Sequence, residues 1–254
     1  RAWGVVRRWA LAWWRILYLG AVVCVLVLSP SSYGKVTRRA LARHLYLDTA
    51  PVLLGFTVLA ALISLVLTRI VVVTAISYGL SRYALEMVIR VLVLELIPLT
   101  AALFVAMRCT IPNGTQLALL RQSGHLARLS HAGADPIRVE LLPRAVAGVF
   151  ACITLAALSC VVALVLAYLG VYGFSLAGLP SYTRMFGHVF APAVTLVFVI
   201  KTVLFSLAVA LIPMAAGLYD TGERTQPDSE LGGLARMFAV LLLIEIGSLV
   251  GNYY

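Results

Sequence analysis

Charge is scarce in this sequence. Asp, Glu, Lys and Arg make up 12% of its 254 residues, where a soluble domain carries about a quarter. That shortfall excludes an ordinary water-soluble fold. Acidic residues are the scarcer kind, 10 against 20 Lys+Arg. No GxxxxGK[ST] pattern occurs, so any ATP chemistry belongs to another chain. HExxH and GxSxG are missing too, and no paired carboxylate stands beside a histidine. A membrane-embedded enzyme needs such a constellation, and none is visible. His44, His125, His131 and His188 have no ligand spacing. Cys24, Cys109, Cys152 and Cys160 contain no CxxC. They read as packing thiols, not as a zinc site or a disulfide framework.

What is abundant is apolar. Hydrophobic residues reach 62%, mean hydropathy is +1.01, and the apolar residues come in long blocks. The chain reads as an integral membrane protein. A basic excess can suit nucleic acid. In a membrane protein, Lys/Arg-rich cytoplasmic loops account for it.

The first thirty residues mix Arg1, Arg7, Arg8 and Arg15 with Trp3, Trp9, Trp13 and Trp14. The uncharged part, 16–28, falls short of the roughly 20 residues a span needs. We expect an interfacial or re-entrant helix, since Trp and Arg favour the headgroup layer. A signal peptide would need a small-x-small site, which does not follow. A sixth span is the other alternative. Residues 31–48, with Lys35, Arg38, Arg39 and Arg43, read as a basic cytoplasmic segment facing anionic lipid heads.

Five spans follow, over about 49–80, 85–107, 145–173, 189–218 and 234–251. A polar, basic loop occupies 108–144, and a turn-rich loop 219–233. The expected fold is all-α: an N-terminal interfacial helix, five transmembrane helices, and a cytoplasmic helix between spans two and three. The domains expected are an N-terminal piece, 1–48, and a transmembrane domain, 49–254. The first 48 residues carry eight Lys/Arg and segment 108–144 carries five, while the alternate loops hold Arg82 and Arg184 alone. That asymmetry puts the N-terminus and central loop in the cytoplasm and the C-terminus outside. Gly247 and Gly251 form one GxxxG, a dimer signal that apolar helices with glycine also produce by chance.

The stretch "VLVLELIPLTAALF", 91–104, places Glu95 and then Pro98 in apolar surroundings. Arg69, Arg90, Lys201 and Glu245 are further charges inside the spans. Each costs on the order of 2.5 to 3.5 kcal/mol if isolated in lipid. Arginine can snorkel to the interface; glutamate has less reach. Two readings stand side by side, a structural ion pair between helices and a polar lining in a substrate cavity. The central loop contains "NGTQLALLRQSGHLARLSHAGADPIRVELLPR". Leu117, Leu120, Leu126 and Leu129 recur at helix-like intervals among Arg121, His125, Arg128 and His131. "GADP" then stops the helix. This is an amphipathic surface helix or a docking element for a cytosolic partner.

"ELIPLTAALFVAMR" followed by "GADPIRVELLPRAVAGV" resembles the MlaE/YrbE permeases, the membrane subunits of MCE-type ABC lipid transporters. Glu95, Leu96, Pro98, Ala101, Ala102, Leu103, Ala106 and Arg108 fall on the family pattern. So do Asp135, Pro136, Pro143 and Arg144. The likeness runs from about residue 38 to the end. It departs at Leu94, where the family has Arg, at Ile97, where it has Gly, and at Gln116, where it has Glu.

The resemblance implies a non-catalytic permease, dimeric and most simply a homodimer, in a bacterial inner membrane. It implies a cytosolic ABC ATPase carrying ATP and Mg, a periplasmic or surface MCE protein, and phospholipid cargo; it implies no cofactor on this chain. It implies a cavity lined by the first, second and fifth spans, here Leu67, Ile70, Thr74, Tyr78, Leu94, Glu95 and Glu245. It implies ATPase coupling through Leu117, Leu120, Arg121, His125, Leu126, Leu129, Asp135 and Pro136. The alternatives are a proton-coupled secondary transporter using Glu95 and Glu245, and a scaffold or assembly factor.

Overall fold

The computed structural model describes residues 2–29, 34–219 and 228–253. Among these there is helix almost throughout and no strand. The turn-rich loop expected over 219–233 lies largely outside the described residues, at 220–227. Helix α1 is Ala2–Leu28 and α2 is Lys35–Ser77. The third long rod is built of α3 Ser81–Val88, a π-helical stretch Ile89–Leu96, α4 Ile97–Val105, a second π stretch Ala106–Thr110, and α5 Ile111–Gln122. Next come α6 His125–His131, a third π stretch Ile137–Leu141, and α7 Leu142–Tyr172. A 3-10 turn at Leu176–Gly178 leads into α8 Leu179–Val189, then α9 Pro192–Tyr219 and α10 Asp228–Tyr253.

Six of these segments are long and apolar enough to cross a membrane. Five correspond to the spans read from sequence. The sixth is Ala10–Leu28. Reading the sequence from Arg15 onward left too short a run; a continuous α1 carries the apolar window back past that arginine. Helix α2 also starts earlier than the span expected from residue 49. Nothing in 35–48 breaks a helix, and Pro51 is accommodated inside it.

Each π stretch ends just before a proline: Pro98, Pro112 and Pro143. The cause is local. A proline inside a helix has no N–H, and its ring presses on the carbonyl four residues back. Widening the turn before it relieves that clash and leaves carbonyls in search of donors.

The chain forms two compact units. The first comprises residues 1–50, 105–151 and 206–241, the second 51–104, 152–205 and 242–254. The core of the first gathers Leu19, Val23 and Leu26 of α1, Leu117 of α5, Leu141, Leu142, Leu211 and Met214. Here α5 and α9 meet on bare backbone. A Cβ on Gly217 would lie 2.2 Å from the Gly114 carbonyl oxygen, and one on Gly114 would lie 2.5 Å from that of Pro213. The end of α9 is capped by side chains: Arg121 donates to the Leu218 carbonyl at 2.7 Å and Arg15 to that of Tyr219 at 3.3 Å. Cations suit a helix C-terminus.

The core of the second unit packs Val88, Ile89, Leu92, Val93, Leu94 and Ile97 against Cys160, Ala163 and Ala167 of α7 and Val189 of α8. Small residues on α7 allow the close approach that drives helix association in lipid. At Gly170 a Cβ would lie 2.6 Å from the Thr68 methyl. Cys109, Cys152 and Cys160 are buried as free thiols, as packing residues would be.

Candidate functional site

The intramembrane charges converge in the second unit. Lys201, on α9, has a side chain 1% exposed. Its Nζ contacts Glu95 Oε2 and lies 2.9 Å from Glu245 Oε2 of α10. It also donates to the Leu94 carbonyl at 3.2 Å. Asn252 Nδ2 donates to Glu95 Oε1 at 3.3 Å, and the Phe205 ring lies 5.7 Å from the ammonium.

Local sequence explains each placement. Pro98 cannot donate to the Leu94 carbonyl, and the π stretch before it turns Leu94 and Glu95 toward α9. Glu245 and Asn252 are seven residues apart, so they share a face of α10. Gly251 brings that helix close to Val197, one turn before Lys201. The resulting group has two carboxylates, one ammonium and an amide. Lys201 lies innermost, and both carboxylates keep an exposed edge, 12% for Glu95 and 14% for Glu245. Groups of opposite charge this close need one another: a lone buried charge would cost several kcal/mol.

The family match decides the setting of this cluster. A family model described as Permease MlaE matches residues 41–249. The chain belongs to the MlaE permease family. It is a multi-pass membrane protein and a permease without catalytic machinery of its own. No curated protein matches it.

The MlaE match covers every site residue expected from sequence. Leu94, Glu95 and Glu245 come together, joined by Lys201 and Asn252, which the expected cavity set omitted. Lys201 stood out as a charge in an apolar run; its pairing did not. Asn252 could have been found from its seven-residue spacing to Glu245. Leu67 packs against the core that contains Leu94, whereas Ile70 and Thr74 on α2, and Tyr78 in the turn just past its end, are exposed. Arg69 is exposed as well, and Arg90 pairs with Glu86 at 3.0 Å.

The central segment is two helices rather than one. Gly124, at φ +71°, ends α5 and starts α6, a conformation suited to glycine. Leu117 is 1% exposed and Leu126 packs partly against the same core. Leu120 and Leu129 are half-buried. Arg121 is held by the Leu218 carbonyl. His125 Nε2 lies 3.7 Å from Glu140 Oε1, and Glu140 pairs with Arg144 at 2.6 Å. Asp135 accepts from the Ile137 amide at 3.0 Å, with Pro136 between them starting the next helical stretch. One further polar link fixes the start of α5. Asn113 donates to Asp48 at 3.0 Å, while Cys109 Sγ donates to the Asp48 carbonyl at 3.1 Å.

Proposed function

We propose that this chain is the membrane permease subunit of an ATP-driven lipid transporter. In this reading it moves phospholipid between the inner membrane and an MCE protein that leads toward the outer membrane. The observation that carries the reading is the Glu95–Lys201–Glu245 cluster set within an MlaE match that covers most of the chain. A lipid has apolar tails and a polar head. Mostly aliphatic walls with a few fixed polar groups suit such a ligand, and Leu67, Glu95 and Glu245 supply both kinds, with Leu94 packed behind them at 2% exposure. Ile70 and Thr74 extend that wall along α2 and Tyr78 continues it in the turn that follows, all three exposed in the single chain and available to a second copy; we propose a homodimer, the common state of oligomers.

ATP and Mg belong to a separate cytosolic ATPase, which docks on the central segment. Leu120, Leu129 and the exposed Leu119 and Arg128 are the contacts we assign to it. Leu117, Arg121, His125, Leu126, Asp135 and Pro136 hold the segment in shape. The charge asymmetry supports a cytoplasmic N-terminus and a periplasmic C-terminus in the inner membrane. That direction treats α1 as interfacial, with Arg15 at the headgroup layer.

The test is a mild-detergent pull-down of the chain expressed with its neighbouring genes, followed by mass spectrometry of proteins and lipids. An ATPase and an MCE protein recovered with phospholipid is the expected result. A chain recovered with lipid-free partners, or with no nucleotide-binding partner under any mild condition, refutes the reading.

A further inference from the structure

Hydrogen-bond donors and acceptors around Lys201 do not match in number. An ammonium has three N–H groups; Lys201 gives two of them, to Glu95 and to the Leu94 carbonyl, while Glu245 Oε2 lies 2.9 Å from its Nζ as an ion pair without accepting a hydrogen bond. Asn252 Nδ2 is given to Glu95. On the other side stand two carboxylates for one ammonium, an excess of one negative charge. Ser248 and Asn252 add to that excess of acceptors. They follow Glu245 by three and seven residues, so all three share one face of α10. Ser248 is 6% exposed, and its Oγ has no hydrogen-bond partner among the described residues. The buried Oδ1 of Asn252 has none either. A buried polar atom without a partner is costly, and here such atoms line up beside an extra carboxylate.

We propose that this face of α10 receives a primary ammonium group, that of an amine-bearing phospholipid headgroup. This deepens the lipid-transport reading and rests on it. A primary ammonium supplies the missing positive charge and three N–H donors at once. A quaternary ammonium carries the charge but no N–H. An anionic headgroup adds a second negative charge beside a carboxylate that already lacks a partner. Lys201 does not serve the phosphate, because its side chain is 1% exposed and lies beneath the carboxylates. The surface of the cluster is therefore acidic although its centre is a lysine.

The experiment uses the full chain purified with its partners in mild detergent. It is incubated with mixed micelles holding equimolar phosphatidylethanolamine, phosphatidylcholine and phosphatidylglycerol of identical acyl chains, and retained lipid is counted by mass spectrometry. Phosphatidylethanolamine should exceed each of the others by roughly tenfold, the worth of one hydrogen bond to a charged group. Glu245→Gln leaves one carboxylate for Lys201 and should bring the three lipids near parity. Asn252→Asp adds a carboxylate and should widen the preference. If Glu245→Gln does not give a native elution profile, Asn252→Asp decides. Parity in the wild type overturns the headgroup assignment and leaves lipid transport standing, as does a preference that neither variant moves. Parity together with a sodium-dependent Tm would assign the site to a small cation and overturn the proposal. Retention of none of the three lipids refutes the lipid reading itself.

Discussion

Lys201 donates to the Leu94 carbonyl, the acceptor that lies four residues before Pro98 and that a proline cannot serve. A helix breaker and a buried cation thereby complete each other. Pro98→Ala restores an N–H in that position, which competes with Lys201 for the carbonyl and favours a regular α-helix. We expect Tm at or above the wild-type value, because a mid-helix proline costs about 3 kcal/mol. Lipid transport should fall in the same variant. A loss of Tm with full transport would show that the π stretch is needed for folding and not for the site.

Lys201→Met leaves two carboxylates facing each other without their shared partner. Breaking a buried pair in this way costs about 3–5 kcal/mol. Thermal unfolding in detergent should show a large drop in Tm. The triple variant Lys201→Met with Glu95→Gln and Glu245→Gln removes the stranded charges and should recover much of it. Equal instability of the single and triple variants would assign the loss to packing around Phe205 instead.

Backbone contact makes α5 and α9 intolerant of side chains. Gly114→Ala sets a Cβ 2.5 Å from the Pro213 carbonyl, and such overpacking costs about 1–3 kcal/mol. Gly55→Ala is the control. It meets nothing within 4 Å on α2 and should be neutral or stabilising by about 0.5–1 kcal/mol, as alanine is the better helix former. Comparable losses in both would contradict the packing described here.

Leu117 and Leu119 sit two residues apart and should separate stability from coupling. Leu117 is 1% exposed and Leu119 is 59% exposed. Leu117→Ala should cost about 2–5 kcal/mol of stability. Leu119→Asp should leave stability within about 0.5 kcal/mol of the wild type and weaken capture of the ATPase in a pull-down. Undiminished capture would move the docking surface off α5.

Much of this was legible in the sequence. Glu95, Lys201 and Glu245 were conspicuous because a charge in an apolar run is costly, and the spans followed from length and hydropathy. Which helices neighbour one another was not legible, so neither was the sharing of Lys201 between two carboxylates. Ser248 and Asn252 escaped notice because short polar residues near a helix end are ordinary until the helix phase aligns them with Glu245. The spacing of the leucines in the central segment predicts one amphipathic helix. Gly124 divides them between two, which is why Leu117 lies inside while Leu129 is half-exposed. Arg15 concealed a sixth apolar window for a similar reason: a single charge reads as a boundary in a string of letters, whereas a continuous helix passes through it.

The meeting of Gly114 and Gly217 has a mechanical consequence. Contacts between side chains have slack, since a rotamer can shift and absorb a small displacement. Two backbones in direct touch have none. A push on α5 therefore reaches the C-terminal end of α9 undamped, like force through a rigid joint.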